Sequence, residues 1–70
     1  MRVQVGDTDS VEALIEFLRR RACHAERLGG DAVVVEFPDE LDPERELLEL
    51  DLYLAVFRST HPGIEVQIAR

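Results

Sequence analysis

Apolar and polar residues alternate over Met1-Arg2-Val3-Gln4-Val5, the mark of a strand with one buried face. Gly6-Asp7-Thr8-Asp9 interrupts that rhythm as a turn. Asp9 followed by Glu12 reads as a capping box opening a helix. Val11, Leu14, Ile15, Leu18 and Ala22 then recur at helical spacing, Phe17 widens the stripe, and Glu16 can pair with Arg20 one turn on. This predicts a first helix over roughly residues 10–22.

The next stretch admits two readings. In one, the helix continues to Leu28 and ends at Gly29, and the chain becomes β-α-β-α-β with a three-stranded parallel sheet. In the other, the helix ends near Ala22 and Cys23 to Leu28 is a short strand. Gly29-Gly30 then makes a two-residue hairpin turn, glycine readily taking the positive φ such turns need, and Ala32 to Phe37 returns as the partner strand. The hairpin is preferred, because the long helix would have to absorb Cys23, His24 and Glu26 after its apolar stripe has stopped. Val33-Val34-Val35 is β-branched, so that arm is a strand in either case.

Pro38 ends the strand. Asp42-Pro43 is a strong helix start, with Asp at the cap, Pro at the first helical position, and Glu44 and Glu46 at the positive end of the dipole. The helix should run to about Thr60, where His61-Pro62-Gly63 stops it. Ile64, Val66 and Ile68 alternate with Glu65 and Gln67 as a last one-faced strand. Strands apolar on one side only require both helices on one face of the sheet. The fold class is therefore α+β: a ferredoxin-like β-α-β-β-α-β sandwich with a four-stranded antiparallel sheet. The open face should carry Arg2, Gln4, Ala32, Val34, Glu36, Glu65 and Gln67.

The second helix departs from the usual pattern. Leu47, Leu50, Tyr53, Leu54 and Phe57 form one apolar stripe, and Leu48, Leu52, Ala55 and Val56 form another on roughly the opposite side. A surface helix needs only one. The second stripe is either a wide core face packing on helix one through Phe17 or a protein–protein surface.

Length sharpens that choice. Seventy residues make a single domain (residues 1–70) that buries only about 60% of the surface its unfolded chain exposes. Such chains usually gain stability from disulfides, a metal or a partner. One cysteine cannot form an intramolecular disulfide, and its isolation suggests a reducing, cytoplasmic setting. The charged start has no apolar core behind it, so no signal peptide is read, and no apolar run approaches the ~20 residues of a membrane span. Oligomerisation is left as the stabilising device.

The formal charge is −7, with 15 acidic against 8 basic residues, which disfavours nucleic acid and anionic lipid as partners. An open sheet face without aromatics also lacks the stacking platform of an RNA-recognition domain. A chain 46% hydrophobic is expected to fold.

Candidate chemistry is thin. Arg19-Arg20-Arg21, with His24 and Arg27, is the local positive region, but three consecutive helical residues fan over about 200° and cannot converge on one anion. Cys23 and His24 as adjacent strand residues face opposite ways, which spoils a nucleophile–base pair, so Cys23 reads as a small buried thiol. There is no C-x-x-C or H-x-x-x-H, and His61 is distant, so no metal or cofactor is expected. Asp7, Asp9, Asp39, Glu40 and Asp42 fall in loops and caps, and the two loops preceding the helices could share an acidic edge. Gly6-Asp7-Thr8-Asp9 lacks G-x-G-x-x-G and G-K-[ST] and would repel phosphate.

In order and length the chain resembles ferredoxin-like regulatory domains such as the ACT domain. That resemblance implies a ligand loop after strand one, here Asp7, Thr8, Asp9 and Ser10 following Gly6. Acylphosphatases share the topology but carry a phosphate-cradling arginine in that loop, and heavy-metal-binding domains carry two cysteines there. Neither occurs here. The expectation is a non-enzymatic interaction or regulatory domain, homodimeric through Leu48, Leu52, Ala55 and Val56. The alternatives are an ACT-like small-ligand sensor and a thiol enzyme centred on Cys23.

Overall fold

The chain runs β1 (Arg2–Val5), α1 (Val11–Arg19), β2 (His24–Leu28), β3 (Ala32–Glu36), α2 (Pro43–Thr60) and β4 (Val66–Ala69). The structure, a computed structural model, describes residues 1–38 and 42–69. The four strands form one sheet in the order β2-β3-β1-β4, with every neighbouring pair antiparallel. The protein is thus α+β, with a four-stranded antiparallel sheet and two helices. The parallel-sheet alternative falls, because residues 24–28 pair with β3 as a strand.

The end of α1 explains this outcome. Cys23 N donates to Leu18 O at 3.2 Å and Ala22 N to Arg19 O at 3.2 Å, the paired bonds of a Schellman cap. The residue that turns the chain is Ala22, at φ 62°, a left-handed conformation that costs a non-glycine residue about 1 kcal/mol or more. The helical pattern therefore stops at Arg19, three residues short of the expected 22. Ala22→Gly should relieve the strain and stabilise the fold by about 0.5–1 kcal/mol. Thermal unfolding followed by circular dichroism should then show a midpoint raised by about 3–6 °C, whereas an unchanged or lower midpoint would contradict a strained cap.

The start of α1 also differs from expectation. Asp9 does not cap α1, whose N-cap position is Ser10; Asp7 instead caps the turn before it, its Oδ1 accepting from Asp9 N at 3.0 Å and its Oδ2 from Ser10 Oγ at 3.2 Å. One 3-10 turn over Thr8–Ser10 then leads into α1. Aspartate two residues earlier wins because it satisfies two donors at once. The hairpin loop is Gly29-Gly30-Asp31, one residue longer than the two-residue turn expected, since Leu28 pairs with Ala32. Gly29 takes φ 70°, and Asp31 is held in place by its carbonyl, which accepts from Val5 N at 2.7 Å. α2 starts as read: Asp42 Oδ1 accepts from Glu44 N at 3.1 Å, with Pro43 in the first turn.

The core is one cluster. It joins Val3, Val5, Ala25, Val33, Val35 and Val66 of the sheet to Val11, Leu14, Ile15 and Leu18 of α1 and Leu50, Leu54 and Phe57 of α2. Both helices therefore cover the same sheet face. Phe57 is wholly buried, edge-on to Phe17 at 5.3 Å and stacked on His61 at 4.2 Å. The other face is open, and register places Glu26, Val34, Arg2 and Ala69 in one row across it and Leu28, Ala32, Gln4 and Gln67 in the next.

Candidate functional site

The two stripes of α2 separate cleanly. Leu50, Leu54 and Phe57 are buried, and Leu47 and Tyr53 are half-buried. On the outer side Leu48 is 62% exposed, Leu52 63% and Val56 45%, and Ala55 is exposed as well. Leu48, Leu52 and Val56 follow one another at a spacing of four, so they lie one turn apart along the outside of the helix. An 18-residue helix capped by Asp42 and Pro43 and docked by three core side chains is a firm support for such a ridge.

The ridge borders a groove between the helices. Ala13, Glu16, Phe17, Arg20 and Arg21 of the α1 side and Val56, Thr60 and His61 of the α2 side enclose about 360 Å3. Val56 thus belongs to both features. Phe17 reaches α2 through Phe57 and leaves Leu48 and Leu52 uncovered.

The three arginines serve three local purposes. Arg19 donates through Nε and Nη2 to Ala25 O at 3.2 and 3.0 Å, tying α1 to β2. Arg20 pairs with Glu16 at 2.7 Å on the surface. The guanidinium of Arg21 stacks 3.7 Å above Phe17, a cation–π contact, and donates to Phe17 O at 3.3 Å. Arg27 reaches Glu12 at 3.3 Å. Only Arg19 belongs to α1; Arg20 and Arg21 lie beyond its end and both line the α1–α2 groove.

Cys23 is buried and His24 exposed, so the pair does not meet. Burial pushes the Cys23 thiol above its ordinary value and Glu49 pushes the same way, with Arg21 opposing. Burial likewise raises the Tyr53 hydroxyl, with Glu49 again adding to the effect. A thiol whose folded pKa is raised contributes stability below its unfolded value near 9.0 and loses it as pH rises through the folded value. Tyr53 acts in the same sense from about 10.0 upward. The urea midpoint should therefore be lower at about pH 10.5 than at about pH 8. At neutral pH a chromogenic disulfide reagent should label Cys23 rapidly only after denaturation, and fast labelling of the folded chain would show a reactive, accessible thiol instead.

The loop of Asp7, Thr8, Asp9 and Ser10 is a self-contained cap, and Ser10 is buried. Among the described residues, Asp7 and Asp9 are not brought together with Asp42. β1 and β3 are antiparallel, so the loops that follow them leave opposite ends of the sheet. Asp7 sits at the end where Gly6 N donates to Glu65 O at 2.8 Å, and Asp42 caps α2 at the other. Asp39 and Glu40 lie outside the described residues. Among the described residues no group of three His, Cys, Asp or Glu is placed to hold a metal ion.

On the open face, His24, Glu26, Val34 and Glu36 line a shallow hollow of about 250 Å3. Sequence reasoning placed Val34 and Glu36 there and missed His24 and Glu26. The signal was available in the hairpin register, which sets His24 opposite Glu36 and Glu26 opposite Val34. No aromatic side chain from the described strands lies on that face. Among the described residues, no helix is long and apolar enough to cross a membrane.

Set beside known proteins, the chain matches no protein-family model, no curated protein and no solved structure.

Proposed function

We propose that this chain is a non-catalytic interaction or regulatory domain that homodimerises through the outer face of α2. The observation that carries the reading is the ridge of Leu48, Leu52 and Val56, held outward on a capped helix whose opposite side docks into the core through Leu50, Leu54 and Phe57. A contiguous apolar patch on a domain surface is often a functional contact surface. The small size of the domain adds a motive, because an oligomer gains stability by mass action that the single chain lacks. Cys23 is buried while His24 is exposed, and Arg19 and Arg21 donate to backbone carbonyls, which supports a role without catalysis.

The fold belongs in this reading to the ferredoxin-like sandwiches. Its support is the order β2-β3-β1-β4, in which β3 lies between β1 and β2 while β1 lies between β3 and β4. The two β-α-β units thereby interlock as in the split β-α-β arrangement. The ligand-sensor reading has less behind it, since Asp7 and Ser10 spend their polar atoms on one another and on the backbone.

Sedimentation equilibrium from low to high micromolar concentration tests the proposal. A reversible monomer–dimer equilibrium is expected, and a monomer at every concentration would overturn it.

A further inference from the structure

We infer that the occupant of the α2 ridge is α2 of a second copy, laid antiparallel, with Leu52 of both chains at the two-fold axis. The inference rests on the homodimer reading and adds its orientation and register. The ridge itself sets the register. Leu48 and Val56 stand four residues to either side of Leu52, about 6 Å along the axis. A two-fold at Leu52 therefore sets Leu48 of each chain against Val56 of the other. Val56 is the lip of the α1–α2 groove, where Ala13 and the Phe17 ring, under the Arg21 guanidinium, lie beside Glu16, Arg20, Thr60 and His61. A leucine from the second copy enters at that point and gives the groove an apolar occupant.

Charge sets the orientation. The first half of α2 carries Glu44, Glu46, Glu49 and Asp51 against Arg45, while Arg58 is the charged residue of its last turn. A parallel pair would bring the two acidic halves together and align the helix dipoles unfavourably. The antiparallel pair separates Glu44 and Glu46 of the two chains and leaves the two Asp51, one residue from the axis, as the like charges that face each other across it. Glu44, Asp51 and Arg58 recur every seven residues along one flank of the ridge. Glu44 lies eight residues before the axis and Arg58 six after it, so Glu44 of one chain comes beside Arg58 of the other. Arg58 spends one nitrogen on Val66 O and keeps further donors for a carboxylate.

Area sets the strength. The three exposed apolar side chains offer on the order of 300 Å2 per chain, against the ~800 Å2 each partner contributes to a standard interface. The groove and the charged flanks must supply the remainder, and the dimer is weak, with dissociation on the order of micromolar.

The test places single cysteines in a Cys23→Ala background, as Leu48→Cys, Leu52→Cys and Val56→Cys. Each is treated with a short bis-maleimide above the dissociation constant found by sedimentation, alone and in a mixture of Leu48→Cys with Val56→Cys. Leu52→Cys should cross-link to itself, and the mixture should give a covalent heterodimer. Leu48→Cys alone should not cross-link, its two copies being about 12 Å apart along the axis. Rapid self-cross-linking of Leu48→Cys would show a parallel pair, and a sedimenting dimer that no variant cross-links would place the contact elsewhere; either overturns this inference while leaving the dimer. Absence of any dimer by sedimentation would overturn the proposed function itself.

Discussion

Replacing Phe57 with alanine should remove about 3–5 kcal/mol of folding free energy, a third or more of what the chain holds. Phe57 is wholly buried, and its ring joins both helices, through the edge contact with Phe17, and the end of α2, through the stack on His61. Removing a buried phenylalanine ring costs about 3–5 kcal/mol, the spread depending on how far the site collapses. A chain of this length holds only about 4–10 kcal/mol in total. The surrounding residues have little capacity to collapse, since Leu14, Leu18, Leu50 and Leu54 are already fully buried. Urea unfolding followed by circular dichroism should show either no folded baseline or a midpoint lower by about 3 M or more, taking a slope of about 1 kcal/mol per M. A displacement under about 1 M would mean that the ring is dispensable and the core reading of α2 is wrong.

The pair Leu52→Glu and Val56→Glu should do the opposite: abolish association and leave the fold intact. Both side chains stand largely outside the core, so surface replacement changes the single chain's stability by no more than about 0.5 kcal/mol. In the dimer the same change sets four carboxylates in the desolvated centre of the contact, where unpaired charge is costly. Weakening by at least ~100-fold corresponds to about 2.7 kcal/mol, a modest demand on that many charges. Sedimentation equilibrium should report a monomer, and the far-ultraviolet spectrum should match the parent's at high concentration. Association at parental strength would show that the ridge is not the contact.

The legible parts of the fold were those coded by local pattern. Asp42-Pro43 placed the start of α2, the valine block placed β3, and the doubled apolar stripe marked the residues that prove to be exposed. The misread parts depended on backbone conformation that composition does not announce. Ala22 turns the chain in a left-handed conformation where glycine would be the usual signal, so the end of α1 looked movable. Asp7 and Asp9 are equivalent by type, and only the 3-10 turn over Thr8–Ser10, which Asp7 caps and Asp9 lies within, decides which one caps. The hairpin gained a residue because Asp31 also serves β1, a demand from a strand distant in sequence. Asp7 and Asp42 are kept apart for the same kind of reason: loop proximity follows strand direction, and β1 and β3 run antiparallel. The outer stripe of α2 was visible, but core and interface share one alphabet of residues, and solvent exposure in the folded chain is what separates them.

The position of β1 governs how the molecule comes to be folded. Val3 pairs with Val33 on one side and Ile68 on the other, so β1 joins a strand from the middle of this sequence to an edge strand much later in it. During synthesis β1 and β3 can meet once the hairpin has emerged, while the other edge of β1 stays unpaired until the last strand arrives. Non-local pairing of this kind slows folding relative to helical proteins of the same size. The interval is also when an unpaired strand edge is open to mispairing with another nascent chain. A ribosome-stalled chain ending before Val66 should accordingly resist proteolysis far less than the full chain.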